Sequence, residues 1–196
     1  MRNLRGFLPW VVFSLVFAAG WQWAACAALL VALVLLVAGR RAGLGLDAQI
    51  LDVGMVSFFG ILSVLALSDP GSPLRAWASP LGSAWLAATA AISLAIGRPF
   101  THGIARSRVP AEVARSAAFL RTNQVITAIW TAGFAVAAVA GGICVAAHGG
   151  PALQTLGPIV GYGGAGVATW RYSVRARSRR IASPPELRSS THEIAR

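Results

Sequence analysis

Long apolar runs dominate this chain, and they leave it few folds to adopt. A helix that crosses a hydrocarbon core of about 30 Å needs about 20 mostly apolar residues. Six runs approach or reach that length in the 196 residues: about 7–19, 21–38, 48–67, 81–97, 125–147 and 152–170. The composition agrees, because 56% of the residues are hydrophobic and only 12% are charged. A typical soluble domain is about 25% charged. With a mean hydropathy of +0.66, the chain is neither an ordinary soluble globular protein, nor disordered, nor a coiled coil. The fold class expected is all-α, a polytopic transmembrane helical bundle over 1–170.

Local signals set the boundaries of the six segments. The region 7–38 is too long for one span and short for two. Gly20-Trp21-Gln22-Trp23 interrupts it, and tryptophan favours the membrane interface. The reading is a hairpin. Its first arm, 7–19, covers only about 20 Å at 1.5 Å per residue and is therefore short or re-entrant. Arg2 and Arg5 before it look like the charged start of a signal peptide. Because apolar segments continue along the chain, the run is read as part of the bundle. Asp47 is a candidate N-cap for the third segment, with Asp52 one turn further in. Arg98-Pro99 ends the fourth segment, since proline lacks the N–H and restricts the residue before it. Between segments four and five, Pro110 to Arg121 is expected to form an interfacial helix, with Arg108, Glu112, Arg115 and Ser116 opposite Val113, Ala117 and Leu120. The tail, 171–196, is arginine-rich and carries Pro184 and Pro185, and it reads as disordered.

All 17 basic residues are arginine, against six acids, for a net charge of +11. Six crossings place every arginine except Arg75 on one side, and cytoplasmic loops are the ones that collect positive charge. Both termini are thereby expected in the cytoplasm of a bacterial cell membrane. If 7–38 crossed once, Arg2 and Arg5 would change sides. Arg171, Arg175, Arg177, Arg179 and Arg180 follow directly on the last segment, where they suit anchoring to anionic lipid headgroups better than nucleic-acid binding.

The residues available for chemistry are few. Cys26 and Cys144 sit in apolar runs and read as packing residues, with no metal-ligand spacing. No triad, carboxylate dyad or nucleotide fingerprint occurs, and six acids leave little material for general acid–base work. No catalytic, cofactor-binding or metal residue is assigned, and the expected role is non-enzymatic. Asp52 is the one acid that enters a span, where acids are costly and often functional. Its bland account is capping, or pairing with Arg40, Arg98 or Arg121. Asn123, Gln124, Thr127 and Thr131 give the fifth segment a polar stripe, which serves helix–helix hydrogen bonding as readily as a solute path. His102 is the histidine beside a cluster of charges, and an exposed loop position is the plainer reading. Gly157 and Gly161 form a GxxxG pair, expected to pack within the bundle or, second, in a homo-oligomer.

The layout resembles the bacterial intracellular septation protein A family, as a distant relative. The matching features are Phe7-Leu8-Pro9, the hairpin-like first region, Arg98-Pro99, Val109-Pro110, and Asn123 opening a segment that carries Trp130 and Phe134. The chain departs from the family pattern at Ala114, where a tryptophan is usual, and in the longer spacing from Asn123 to Trp130. The resemblance implies a cell-envelope protein acting in septation through contacts with other membrane proteins. Candidate functional residues are Asp52, Arg98, Pro99, Thr101, His102, Arg106, Asn123 and Trp130. The alternative is a small transporter or channel that uses Asp52 and the polar face of the fifth segment.

Overall fold

In the computed structural model, residues 5–45, 48–106 and 109–182 are described. Among them the chain is helical, with no strand. The α-helices are α1 (Leu8–Val16), α2 (Trp21–Arg41), α3 (Ile50–Ser68), α4 (Leu74–Ala95), α5 (Phe100–Arg106), α6 (Ala111–Ala114), α7 (Ala117–Ala146) and α8 (Pro151–Ala182). Four of these, α2, α3, α4 and α7, are long and apolar enough to cross a membrane. The apolar stretch Leu8–Ala19 is shorter. α8 is long, but glycines and arginines dilute it, and it is not among the four.

The helix ends follow from a few residues. Gly20 takes φ 128° and ψ 133°, a conformation that excludes a β-carbon, and so the chain breaks between α1 and α2. The two helices then fold back on one another. α2 ends with Gly43 at φ 74°, where Leu44 N–H donates to the Gly39 carbonyl and Gly43 N–H to that of Arg40. Gly97 closes α4 in the same way, through Arg98 N–H to Ser93 O and Gly97 N–H to Leu94 O. His148 closes α7 at φ 55°, without glycine.

Packing runs from α1 to α2, α3 and α4 in turn, and then from α4 to α7 and from α7 to α8. Trp10, Phe13, Phe58 and Phe59 form the aromatic centre, with ring centroids 4.8–5.7 Å apart. Polar ties fix the ends. Trp21 Nε1 donates to the Pro70 carbonyl at 2.8 Å, joining the start of α2 to the α3–α4 turn. The fully buried Gln49 donates from Nε2 to the Leu36 carbonyl at 2.8 Å, joining the start of α3 to the end of α2. α7 and α8 run antiparallel, with Gly141 beside Gly157 and Gly133 against Gly161. The arginines at the ends of α2 and α4, on α5, and around the start of α7 therefore gather at one end of the bundle. Arg171 and Arg175 on α8 point back toward that end, while Arg75 lies at the other.

Several boundaries differ from those expected. α4 begins at Leu74 rather than near residue 81, because Pro80 is held inside the helix against Gly141 of α7. Proline survives within such helices when neighbours accommodate it. The single helix expected over 110–121 is divided. α6 covers four residues, and Ser116 then caps α7 by accepting the Phe119 N–H at 3.2 Å. The connector after α4 is not a plain loop, since it contains α5. Finally, 171–182 continues α8 as helix, where disorder was expected. No glycine or proline interrupts 171–182, and an established helix propagates through alanine and arginine at little cost. The rest of the tail lies outside the described residues, as do Arg2, Asp47 and Arg108.

Candidate functional site

The expected site residues fall into three places. The first is the connector between α4 and α7, at the arginine-rich end. Pro99 is fully buried, and Phe100 is 6% exposed. Ser93, on the last turn of α4, accepts the Phe100 N–H at 3.3 Å and donates to the Ala90 carbonyl at 2.7 Å. These contacts turn the chain back beneath the bundle end and start α5.

Two side chains of α5 then hold it in place. Thr101 Oγ1 donates to the Asn123 carbonyl at 2.8 Å and lies 2.7 Å from Thr127 Oγ1. A hydroxyl has one proton, so Thr127 is the donor to Thr101. Asn123, 2% exposed, donates from Nδ2 to the Phe119 carbonyl at 2.8 Å, and Thr131 donates to the Thr127 carbonyl at 2.9 Å. Asn123, Thr127 and Thr131 of the α7 stripe are thus hydrogen-bonded within the protein. His102 Nε2 lies 3.2 Å from the Ala114 carbonyl, an acceptor, which places the proton on Nε2. The imidazole is half-buried, not exposed, and it meets the Phe119 ring edge-on at 5.4 Å.

Around this clamp are two open cavities. The larger, about 430 Å³, lies between the α2–α3 turn, α5 and α6, and its charged wall is Arg106 and Arg115. The smaller, about 360 Å³, lies on the other side of His102 and is lined by Arg98, Pro99 and Leu120. His102, Ala114 and Arg115 line both. Among the described residues no aspartate or glutamate lines either. Arg106 is half-buried, and its guanidinium packs on Gly45, where a β-carbon would stand 2.7 Å from Nη2. Arg98 and Arg115 are exposed.

Asp52 and Trp130 lie elsewhere. Asp52 is half-buried in the first turn of α3. Its side chain forms no hydrogen bond or ion pair with a described residue, so neither the cap nor the arginine pair expected for it is present. α3 packs chiefly on α2 and α4, whereas α7 packs on α4, α5 and α8. Trp130 stacks within the bundle between Phe7, at 6.2 Å, and Phe134, at 5.6 Å.

The third place is α8. Gly157 and Gly161 both press on the α7 backbone, and Tyr162 Oη shares a hydrogen bond of 2.8 Å with Ser83 of α4. Arg171 and Arg175 are exposed further along. Arg177, Arg179 and Arg180 lie on the same helix, with side chains outside the description.

Sequence reasoning did not single out Arg115, Ser93 or the glycines of the α2–α3 turn. A polar helix face carried the only signal for Arg115. The approach of Gly45 to Arg106 joins positions far apart in sequence and left none.

Among the described residues the fold is all-helical, and four helices long and apolar enough to cross a membrane are the mark of a membrane protein. No family model, curated protein or solved structure matches the chain. Among the described residues no group of histidine, cysteine or acidic side chains could hold a metal ion.

Proposed function

We propose that this chain is a multi-pass protein of the bacterial cytoplasmic membrane, akin to the intracellular septation protein A family. It acts in the cell envelope through contacts with other membrane proteins rather than by catalysis. In this reading all six apolar segments lie in the membrane, the arginine-rich end and both termini face the cytoplasm, and the arginines also engage anionic headgroups.

One observation carries the reading. The connector between α4 and α7 is a folded, anchored element, because Thr101 ties α5 to Thr127 and Asn123, and His102 ties it to Ala114. An element fixed in this way presents Arg98, His102, Arg106 and Arg115 as a pre-organised surface, which lowers the entropic cost of binding. The transport reading has less support, since Asn123, Thr127 and Thr131 of α7 are used in hydrogen bonds within the protein and Asp52 sits on a helix that packs chiefly elsewhere.

The test is crosslinking in intact membranes, with a photoreactive residue at the exposed Val113 of α6. The expected result is a discrete adduct with a membrane protein of envelope synthesis or division, lost when Arg98 and Arg115 are both changed to Gln. Adducts with lipid and background alone reject the reading. Solute flux in reconstituted liposomes that is abolished by Asp52→Asn favours transport instead.

A further inference from the structure

We propose that the outward face of α8 is a docking seam for a transmembrane helix of another protein, one that continues into acidic residues at its cytoplasmic end. This goes beyond the connector reading above and rests only on α8 lying in the membrane with its arginines toward the cytoplasm.

Three observations carry it. First, α8 is the last layer of the bundle. It packs chiefly on α7, where Gly157, Gly161 and Ala165 make the close contacts, and it is not among the four helices long and apolar enough to cross a membrane. Second, an apolar seam runs along the side of α8 turned away from those residues. Leu156, Val160, Val167, Trp170 and Val174 are 47–66% exposed. Together with the exposed Gly163 they recur at steps of four, three, four, three and four residues. Third, the charge along this helix has one sign. Its cytoplasmic part carries Arg171, Arg175, Arg177, Arg179 and Arg180, and α8 contains no acid. Arg171 and Arg175 are exposed and lie beside the seam.

The spacing selects a helix as the occupant. Lipid chains need only apolar surface, whereas a repeat of 3.5 residues lets a second helix set its side chains into the gaps of the first. Gly163 stands in the middle of the seam, and nothing lies within 4 Å of a β-carbon added there. Small residues at such positions let two helices approach closely in lipid. From Leu156 to Val174 the seam covers about 27 Å at 1.5 Å per residue, close to the hydrocarbon core of about 30 Å, so the occupant spans the membrane. The charge then selects which helix. Copies of this chain inserted in one orientation would set Arg171 and Arg175 against their own counterparts, which repel. A helix that ends in aspartate or glutamate would instead pair with them.

The experiment uses the full chain, with a photoreactive residue at Val167, reconstituted in phosphatidylcholine liposomes. Two synthetic single-span helices serve as probes. They share an apolar, heptad-patterned segment of about 20 residues and differ in a tail of glutamates or of lysines. A photoreactive residue at Leu30, exposed on α2, is the control position.

Adducts at Val167 are expected to favour the glutamate-tailed probe by about tenfold, with no preference at Leu30. Changing Arg171 and Arg175 together to Gln is expected to erase the preference. Gly163→Ile, whose added β-carbon meets nothing within the fold, is expected to remove the adduct by holding the helices apart. The proposal is overturned if the two probes label equally, if Leu30 matches Val167, or if either variant behaves as wild type. It is equally overturned if Val167 couples instead to a second copy, to another part of its own chain, or to lipid alone. None of these outcomes bears on the crosslink at Val113, which tests the connector.

Discussion

Gly133 and Gly161 show how little room this bundle leaves where two helix backbones meet. A β-carbon on Gly133 would stand 2.6 Å from the Gly161 carbonyl oxygen, and one on Gly161 would overlap the Gly133 carbonyl. Neither obstacle is a flexible side chain, so the helices must separate. Gly161→Ala is therefore expected to cost about 1–3 kcal/mol, read as a lower melting temperature in detergent. Gly164→Ala is the control, because nothing lies within 4 Å of its added methyl, and a change within about 0.5 kcal/mol is expected. Close approach is how helices associate in lipid, where apolar burial gives no net drive. The Gly157–Gly161 pair was legible because its spacing is local. Gly133 was not, because its role depends on a helix that meets it only in three dimensions. The same holds for Gly82, whose missing β-carbon makes space for the Trp10 ring. Asp52 is a related case. Its place in the first turn of α3 and the arginines on the same side of the bundle suggested a cap or an ion pair, and among the described residues its side chain has neither.

At the scale of elements, α5 decides whether the connector is a site or a tether. Thr101→Val removes its donor to Asn123 and its acceptor for Thr127 while keeping the shape. Such hydrogen bonds contribute about 0.6–1.7 kcal/mol, so amide exchange over 99–106 should quicken by several-fold while exchange in α3 stays unchanged. Equal protection in the variant would show that Pro99, Phe100 and His102 hold α5 without the threonine. Ser116→Ala removes the cap of α7 and should cost about 1 kcal/mol. The measurement is local exchange at 117–120, where fraying would begin. The sequence revealed that α4 and α7 are joined by a basic stretch ending in a helix. It did not reveal the division at Ser116. A serine in a helical pattern reads equally as a polar face or as a cap, and only the turn at Arg115 separates the two. The start of α4 was hidden similarly, since Pro80 looks like a boundary until Gly141 is found packed against it.

At the scale of the molecule, the arrangement has a polar axis. Arginines lie at the end that carries the α2–α3 turn and α5, while Trp21, Pro70 and Arg75 mark the other. In a background of Cys26→Ser and Cys144→Ser, cysteines at Ala42 and Val113 should be labelled from one side of the membrane and a cysteine at Gly71 from the other. Labelling of positions 42 and 113 from opposite sides would reject the bundle orientation. A further pair at positions 3 and 190 tests the hairpin, with same-side labelling expected. Apolar run length and arginine placement made this axis readable from the chain alone. The larger cavity was beyond that reach, since its walls come from two loops separated by α3 and α4. That separation also has a temporal meaning. Gly43, Gly45 and Ala48 leave the ribosome well before His102, Arg106 and Arg115, and the second wall is fixed only once α7 has been made and has bonded Thr101. A chain halted after α4 carries arginines and a turn but no completed pocket. The cavity is therefore a mark of completed synthesis, absent from a nascent or truncated copy and present only in the finished molecule.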